Sequence, residues 1–219
     1  MLELLLPQRC LACGSSGAVI CSSCLEALPR LEPPLCERCG APTAWPVRRC
    51  AECAGRRVAF ASARAAVAYD ERVRRVVAGW KEHGLRRLAA TAADIVVAAI
   101  PPPQVGALTF VPSDRDRRLK RGHHPAERLA LALGERWELP VLGVLSRQRT
   151  SRPQRGSSLA DRRRNVRGAF AAGEAPPAVA LVDDVYTSGA TASAAATALR
   201  KAGAREVQVV TLARTLRLR

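Results

Sequence analysis

Residues 178–202 read AVALVDDVYTSGATASAAATALRKA and place a strand, an acidic pair, a loop and a helix in immediate succession. The apolar run at residues 179–182 shows no alternation, which is typical of a parallel strand buried on both faces. The acidic pair is predicted to end this strand, and the Ala-rich stretch predicts a helix that begins near Thr191 or Ala192. This unit predicts an α/β fold with a parallel sheet.

The loop between this strand and this helix has the composition of an anion-binding site. The first amides of a helix lack intrahelical acceptors, and the helix dipole adds partial positive charge there. We therefore predict that a phosphate binds in the loop, at Val185, Tyr186, Thr187, Ser188, Gly189, Ala190 and Thr191. Ionised carboxylates only accept hydrogen bonds, so Asp183 and Asp184 suit the vicinal hydroxyls of a ribose. The predicted ligand is a ribose 5-phosphate; the alternative is that both acids merely cap a turn.

Strand and helix patterns also alternate between the N-terminal region and this unit. Strands are predicted within residues 58–69 and at residues 107–111, 141–145 and 207–212, and helices at residues 71–80, 85–100 and 125–137. Asp70 is placed to cap the first of these helices, and Trp80 falls on its apolar stripe, which indicates a core position. Strands followed by helices predict a doubly wound, mainly parallel sheet.

All the cysteines lie in the first quarter of the chain, as four Cys-x-x-Cys pairs: Cys10, Cys13, Cys21, Cys24, Cys36, Cys39, Cys50 and Cys53. Four pairs supply two tetrahedral zinc sites, whereas disulfides are rare in a reducing cytosol and redox pairs do not normally recur four times. The simplest assignment gives the first two pairs to one zinc ion and the last two pairs to the other. The spacing also allows an interleaved grouping of the pairs. Gly14 and Gly40 follow second cysteines, where a knuckle turn often needs positive φ. We predict a double zinc ribbon at residues 1–57, dependent on structural zinc, and an α/β domain at residues 58–219.

The charge of the chain favours polyanionic partners. Its 219 residues include 35 Lys and Arg against 19 Asp and Glu, a net charge of +16. Nucleic acid and phosphorylated metabolites fit this balance, and an arginine-rich genome composition is the alternative explanation. The first residues lack a signal-peptide pattern, and no apolar stretch is long and uninterrupted enough to span a bilayer. We therefore expect a soluble, cytoplasmic protein without membrane insertion.

Two arginine-rich segments accompany the predicted ligand site. The first follows the strand at residues 107–111, at the sheet edge where ligands bind in open α/β folds, and includes Ser113, Asp114, Arg115, Arg117, Arg118 and Arg121. Arginine donors suit pyrophosphate, and Asp114 or Asp116 can help to hold Mg²⁺; the alternative is a solvated charge run. The second segment, residues 147–167, begins at Arg147 and is predicted to be a mobile lid or arm.

The stretch VALVDDVYTSGAT at residues 179–191 resembles the signature with which type I phosphoribosyltransferases bind phosphoribosyl pyrophosphate (PRPP). With the four cysteine pairs, Arg121-Gly122 and the lid residues Gln154, Arg162 and Asn165, the chain resembles the ComF family of competence-associated proteins. The resemblance implies a double zinc ribbon, Asp183 and Asp184 as catalytic acids, and Mg²⁺ bound with PRPP. The chain departs from the family pattern at His123-His124-Pro125, where many relatives read Phe-Asn-Gln.

Three functions are consistent with these features. The resemblance implies a PRPP-binding protein that handles single-stranded DNA in natural transformation, with other competence proteins as partners. The same site also fits an active phosphoribosyltransferase of nucleobase salvage, which joins a base to ribose 5-phosphate. A third possibility is a sensor that binds PRPP or a nucleoside 5-phosphate without turnover. Because all three use the same residues, the sequence leaves turnover and the acceptor open.

Overall fold

Six strands and five helices occur in the part of the chain that the computed structural model describes, which is residues 8–82, 88–113, 124–148 and 168–216. The strands are β1 (Ser62–Ala68), β2 (Ala107–Phe110), β3 (Leu145–Arg147), β4 (Phe170–Ala172), β5 (Ala178–Tyr186) and β6 (Glu206–Arg214). The helices are α1 (Ser22–Glu26), α2 (Glu71–Glu82), α3 (Leu88–Ala99), α4 (Pro125–Trp137) and α5 (Ala190–Lys201).

Four strands form one parallel sheet in the order β1-β6-β5-β2. β6 pairs with both β1 and β5, so that Val210 lies opposite Arg64 on one side and Val182 on the other. β5 also pairs with β2, where Val182 lies opposite Phe110. β3 and β4 form a separate antiparallel pair. The predicted fold class, a mainly parallel α/β sheet preceded by a Cys-rich module, is confirmed.

Helices cover both faces of the sheet, as expected for a doubly wound arrangement. On one face, α2, α3 and α4 share a core with the first cysteine segment, and Trp80 and Leu129 in this core are both 0% exposed. On the other face, α5 packs Leu199 against Leu181 of β5 and Phe60 of the segment before β1. None of the helices within the described ranges is long and apolar enough to cross a bilayer.

β5 is longer than its sequence pattern predicts. Residues 179–182 are fully buried, as the absence of alternation indicates, but the strand continues through the acidic pair to Tyr186. The prediction that the acidic pair ends the strand is therefore wrong. Asp183 lies opposite Thr211 and Val185 opposite Ala213, so pairing with the long strand β6 keeps the backbone extended. α5 begins at Ala190, one residue before the predicted start.

Other element bounds also differ from the predictions. Val141 forms an isolated bridge with Leu108, and β3 begins only at Leu145, where its antiparallel partner β4 lies. The strand predicted at residues 141–145 is therefore largely wrong, because an apolar run does not reveal where its pairing partner lies. Residues 58–69 contain the single strand β1.

Polar residues at helix starts explain two of the helix boundaries. The Val73 amide donates to Asp70 Oδ1 at 2.8 Å, which confirms the predicted cap of α2. At α4, the Glu127 amide donates to Nδ1 of His124 at 3.1 Å. The ring of His124 is buried, and it caps α4 from the position that precedes the helix.

Candidate functional site

Two groups of four cysteines come together in the structure. The first cluster consists of Cys10, Cys13, Cys21 and Cys24, and the second cluster consists of Cys36, Cys39, Cys50 and Cys53. Within each cluster the sulfur atoms lie within 4.8 Å of one another. Gly14 and Gly40 have φ angles of 85° and 67°, as expected for knuckle turns. The structure thus shows the sequential grouping of the four pairs.

The acid–base properties of the second cluster fit a divalent cation. Burial disfavours the Cys36 thiolate, but amide donors, including those of Cys39 and Cys50, outweigh burial and lower the pKa of Cys36 to about 7. Burial and a hydrogen bond with Cys36 raise the pKa of Cys53 to about 11. Ionisation is favoured at Cys36 and disfavoured at Cys53, and a divalent cation among the four sulfur atoms would favour the thiolate form of both. Both clusters are compatible with structural zinc, which prefers four sulfur ligands and then leaves no position for water.

Gly189 ends the loop between β5 and α5, and its conformation determines the shape of that loop. Its φ of 70° is left-handed, and a Cβ at this position would lie 2.6 Å from Cζ of Tyr186. Glycine is therefore required here for two independent reasons. The Ala190 amide lies 3.4 Å from Ser188 Oγ at the start of α5. This hydrogen bond places the Ser188 hydroxyl beside the first turn of α5, where a helix has amides without intrahelical acceptors.

The acidic pair lies immediately before this loop, and its two members differ. Asp184 Oδ1 accepts a hydrogen bond from Nζ of Lys81 at 2.7 Å. Asp183 Oδ1 accepts one from the Asp184 amide at 2.9 Å. Burial and the charge of Asp184 raise the pKa of Asp183 to about 8, so Asp183 is largely protonated at neutral pH. Burial thus favours the neutral form of Asp183, whereas the sequence interpretation takes both acids as ionised acceptors.

Ser113 and Arg147 are the predicted members of the two arginine-rich segments that the structure describes. The Val111 amide donates to the Val182 carbonyl at 3.0 Å, so Ser113 follows β2 at the sheet edge that carries the acidic pair. Arg147 is the last residue of β3, and its charge acts against the rise in the pKa of Asp183. The other predicted residues lie outside the described residues: Asp114, Arg115, Asp116, Arg117, Arg118, Arg121, Gln154, Arg162 and Asn165.

Three cations at the site were not assigned a role from the sequence. Lys81 pairs with the acidic pair from the last turn of α2. Arg56 donates to the Ser188 carbonyl, and the guanidinium of Arg214 lies 5.3 Å from the centroid of the Tyr186 ring. The Arg56 contact spans 132 residues, and none of these cations lies in a recognisable motif. No local sequence signal could have found them.

Comparisons with known proteins agree with this arrangement. Residues 1–54 match the family model of the double zinc ribbon domain. Competence protein F of Haemophilus influenzae is 28% identical over 223 residues, which cover 94% of this chain and 96% of that protein. The fold and the paired sites thus define a double zinc ribbon joined to a parallel α/β domain. The chain is similar to competence protein F over nearly its whole length.

One solved structure shares sequence with the chain over a limited part of its length. It is the glutamine PRPP amidotransferase from B. subtilis complexed with ADP and GMP, with 26% sequence identity and a TM-score of 0.38. The match covers 58% of this chain and 26% of that enzyme, so the chain spans about a quarter of the enzyme's length. The two structures superpose too poorly for this match to define the fold of the chain. The fold is defined instead by the strand order of the parallel sheet and by the helix α5 that follows β5.

Proposed function

We propose that the chain binds PRPP, or a nucleoside 5-phosphate, at the carboxyl end of β5. The observation that carries this proposal is the direct succession of an acidic pair, a loop shaped by Gly189 and the start of α5, where first-turn amides lack intrahelical acceptors. In this arrangement the 5-phosphate accepts hydrogen bonds from the amides and hydroxyls of residues 187–191. Asp183 and Asp184 bind the ribose hydroxyls 2 and 3.

The protonation of Asp183 suits this role. A neutral carboxyl group has one donor and retains acceptor capacity, so Asp183 can bind a ribose hydroxyl in either direction. Asp184 has one oxygen on Lys81, and its second oxygen can accept a hydroxyl. Ser113, Arg147 and the two arginine-rich segments contribute donors for pyrophosphate, with Mg²⁺ as the counter-ion that accompanies PRPP.

Calorimetric titration of the zinc-loaded protein with PRPP and Mg²⁺ tests this proposal. The double variant Asp183→Asn/Asp184→Asn should weaken binding by about tenfold or more, because the charge-assisted hydrogen bond lost at Asp184 is worth roughly 1.5–3 kcal/mol. Asp94→Asn is a matched control, since Asp94 is a largely exposed acid that pairs with Arg136 on a different surface. Unchanged affinity in the double variant would rule out the acidic pair as the ribose site.

Turnover separates the transferase from the sensor. If the chain is a phosphoribosyltransferase, it releases pyrophosphate from PRPP only when the correct nucleobase is present, and the double Asn variant loses this release. Catalysis would then come from holding the reacting groups in place and from stabilising charge on the departing pyrophosphate. PRPP binding without release for any base assigns the site to sensing.

We also propose that the chain handles single-stranded DNA in the cytoplasm during natural transformation, together with other competence proteins. The name of the Haemophilus relative supports the link to competence. A cavity of about 480 Å³ on the second cluster segment is lined by Arg38, Arg48 and Arg49, which are candidate phosphate contacts. Trp45 in the same segment is 68% exposed, whereas Trp80 is 0% exposed. An exposed indole in a segment that also carries arginines is suited to stacking on an unpaired base.

Titration of fluorescently labelled oligonucleotides at several salt concentrations tests this second function. Trp45→Ala should weaken binding to single strands by about tenfold at every salt concentration, since one base stack is worth roughly 1–3 kcal/mol. Arg48→Gln/Arg49→Gln should instead flatten the salt dependence, because two phosphate contacts are lost. Trp137→Phe, a buried change on α4, is the control. Wild-type affinity and salt dependence in both surface variants would contradict the assignment.

A further inference from the structure

We propose that Arg214 is a positioning residue that couples the second cysteine cluster to the phosphate loop, residues 187–191. Metal retention at the cluster and ligand binding at the loop would then strengthen each other. The identity of the ligand rests on the proposed function, whereas the coupling rests on the contacts of Arg214 and its neighbours.

Arg214 is a buried cation whose position depends on the second cluster. It is the last residue of β6 and is 1% exposed. Its guanidinium pairs with the Glu52 carboxylate at 2.8 Å and donates to the Cys39 carbonyl at 2.5 Å. Glu52 lies between Cys50 and Cys53, so both partners belong to the cluster segment. A buried charge that loses its partner is strongly unfavourable, and Arg214 therefore needs this segment folded.

The same guanidinium contacts the residue that shapes the loop. It lies 5.3 Å from the centroid of the Tyr186 ring, a cation–π contact. The Tyr186 ring fills the space that a Cβ on Gly189 would occupy, and the Tyr186 carbonyl accepts from the Thr215 amide at 3.0 Å. Phe60 packs edge-on against the same ring at 6.2 Å between centroids. Arg214 thus holds Tyr186, and Tyr186 sets the path of the chain into α5.

A second arginine joins the same two regions. Arg56 donates through its side chain to the Ser188 carbonyl in the loop, and its own amide donates to the Cys53 carbonyl at 3.1 Å. Arg56 is therefore fixed at one end to a cluster cysteine and at the other end to the loop. Two independent side chains transmit the position of the second cluster to the loop.

The first cluster provides an internal control because its contacts run elsewhere. Arg75 of α2 donates to the Ala12 carbonyl at 3.2 Å, and Leu11 packs against Gly79 of the same helix. Among the described residues, none of the hydrogen bonds made by residues 8–24 reaches the loop at residues 187–191. Metal loss at the first cluster should therefore leave the loop amides unchanged.

Thermodynamic linkage makes the coupling reciprocal. If a folded second cluster favours the ligand-binding shape of the loop, a ligand that holds this shape must favour the folded cluster by the same factor. Ligand binding should then slow zinc loss from the second cluster and not from the first. A merely structural role for Arg214 would lower stability without this selectivity.

Hydrogen exchange of the full chain measures the coupling without any ligand. Cys50→Ser should speed exchange of the amides at residues 187–191 by about tenfold, within the usual range of coupling between sites. Cys13→Ser, the matched change in the first cluster, should leave these amides at the wild-type rate. Arg214→Met, measured in the same way, should reproduce the effect with both zinc ions bound. Equal exchange in the two cysteine variants, or wild-type exchange in Arg214→Met, would overturn the proposal.

Zinc transfer to a chromogenic chelator measures the reciprocal effect. Saturating PRPP with Mg²⁺ should slow the release of one of the two zinc ions by about tenfold and leave the other unchanged. Arg214→Met should abolish this protection, Glu52→Gln should weaken it, and Arg75→Met should retain it. If PRPP binds and protects neither ion, the coupling is refuted. If calorimetry shows no PRPP binding, the proposed function fails, and hydrogen exchange still decides the coupling.

Discussion

The two cysteine clusters have the same ligands and different surroundings. Each cluster has one half-buried cysteine, Cys21 in the first and Cys50 in the second, but Cys13 of the first cluster is exposed whereas its counterpart Cys39 is 3% exposed. The first cluster packs on α2, and the second packs on β1 and contacts the loop at residues 187–191 through Arg56. Identical metal-binding motifs can therefore differ in their effect on the fold, because they pack against different elements.

The contacts with β1 explain why the second cluster should matter more to the α/β fold. The Ala63 amide donates to the Arg38 carbonyl at 3.0 Å, and Arg64 donates to the Glu37 carbonyl at 2.9 Å. These bonds continue the edge of the sheet into the cluster segment. Loss of metal there should release the edge strand as well as the ribbon, whereas loss at the first cluster should release only the ribbon and part of α2.

The largest expected difference comes from removing one ligand of each cluster. Cys36→Ser should lower the melting temperature by about 10 °C more than Cys13→Ser, because roughly 2–4 °C is lost per kcal/mol in a chain of this size. Thermal unfolding followed by circular dichroism at fixed zinc concentration measures both. Zinc content per chain, determined on the same samples, confirms that each variant has lost one ion. Equal melting temperatures of the two variants would mean that the contacts between the second cluster segment and β1 do not contribute to the free energy of unfolding.

A smaller difference is expected from the two knuckle glycines. Both have positive φ, but a Cβ on Gly40 would strike the Ala63 carbonyl, whereas nothing lies within 4 Å of a Cβ on Gly14. Gly14→Ala should cost about 1 kcal/mol from backbone strain alone, and Gly40→Ala about 3 kcal/mol or more, because β1 must also shift. Urea denaturation gives both free energies of unfolding. Similar costs would show that the second cluster segment can move away from β1 freely.

The smallest expected effect concerns the acidic pair before the loop, where Lys81 of α2 contacts Asp184. Asp183 faces Asp184, Lys81 and Arg147, and its pKa is raised to about 8 from 3.8. The unfolded chain ionises Asp183 near pH 4 and the folded chain near pH 8. Stability from this group is therefore present below pH 4 and is lost as the pH rises to 8.

Asp183→Asn should remove the loss of stability that ionisation of Asp183 causes as the pH rises from 4 to 8. Without ligand, the variant should melt about 5 °C above the wild type at pH 8 and at the same temperature near pH 4. The Lys81→Met variant should lose stability more steeply with pH, because a cation that offsets the burial of Asp183 is gone. A pH-independent difference between Asp183→Asn and the wild type would show that Asp183 stays ionised.

Local sequence was sufficient for the parts of the molecule that local interactions determine. The buried run at residues 179–182, the cap at Asp70, the core position of Trp80 and the grouping of the cysteines were all predicted and are all present. The first three depend on residues that are close together in the chain. The cysteine grouping depends on the Cys-x-x-Cys spacing, which a tetrahedral metal site requires. The ligand-binding role of the loop residues 187–191 stays a prediction, although the strand and the helix on either side of the loop are present.

The rest depended on partners distant in sequence. β5 runs past its apolar stretch because β6 pairs with it, and the protonation of Asp183 follows from burial that the sequence does not display. Arg214 contacts Cys39 and Glu52 across 175 and 162 residues. A single arginine near the end of a strand carries no local pattern, so its role appears only when the sheet is assembled.

The position of β6 in the sheet has a consequence for biosynthesis. β6 follows every other strand in the chain and yet lies between β1 and β5. While the chain is being synthesised, β1 and β5 therefore have no common partner, and both wait for the last strand. The first cysteine cluster, by contrast, is formed by about the first 24 residues and can take up its metal early. Synthesis thus produces a metal-bound N-terminal ribbon well before the central sheet can form. The intermediate has unpaired strand edges, which chaperones would have to protect.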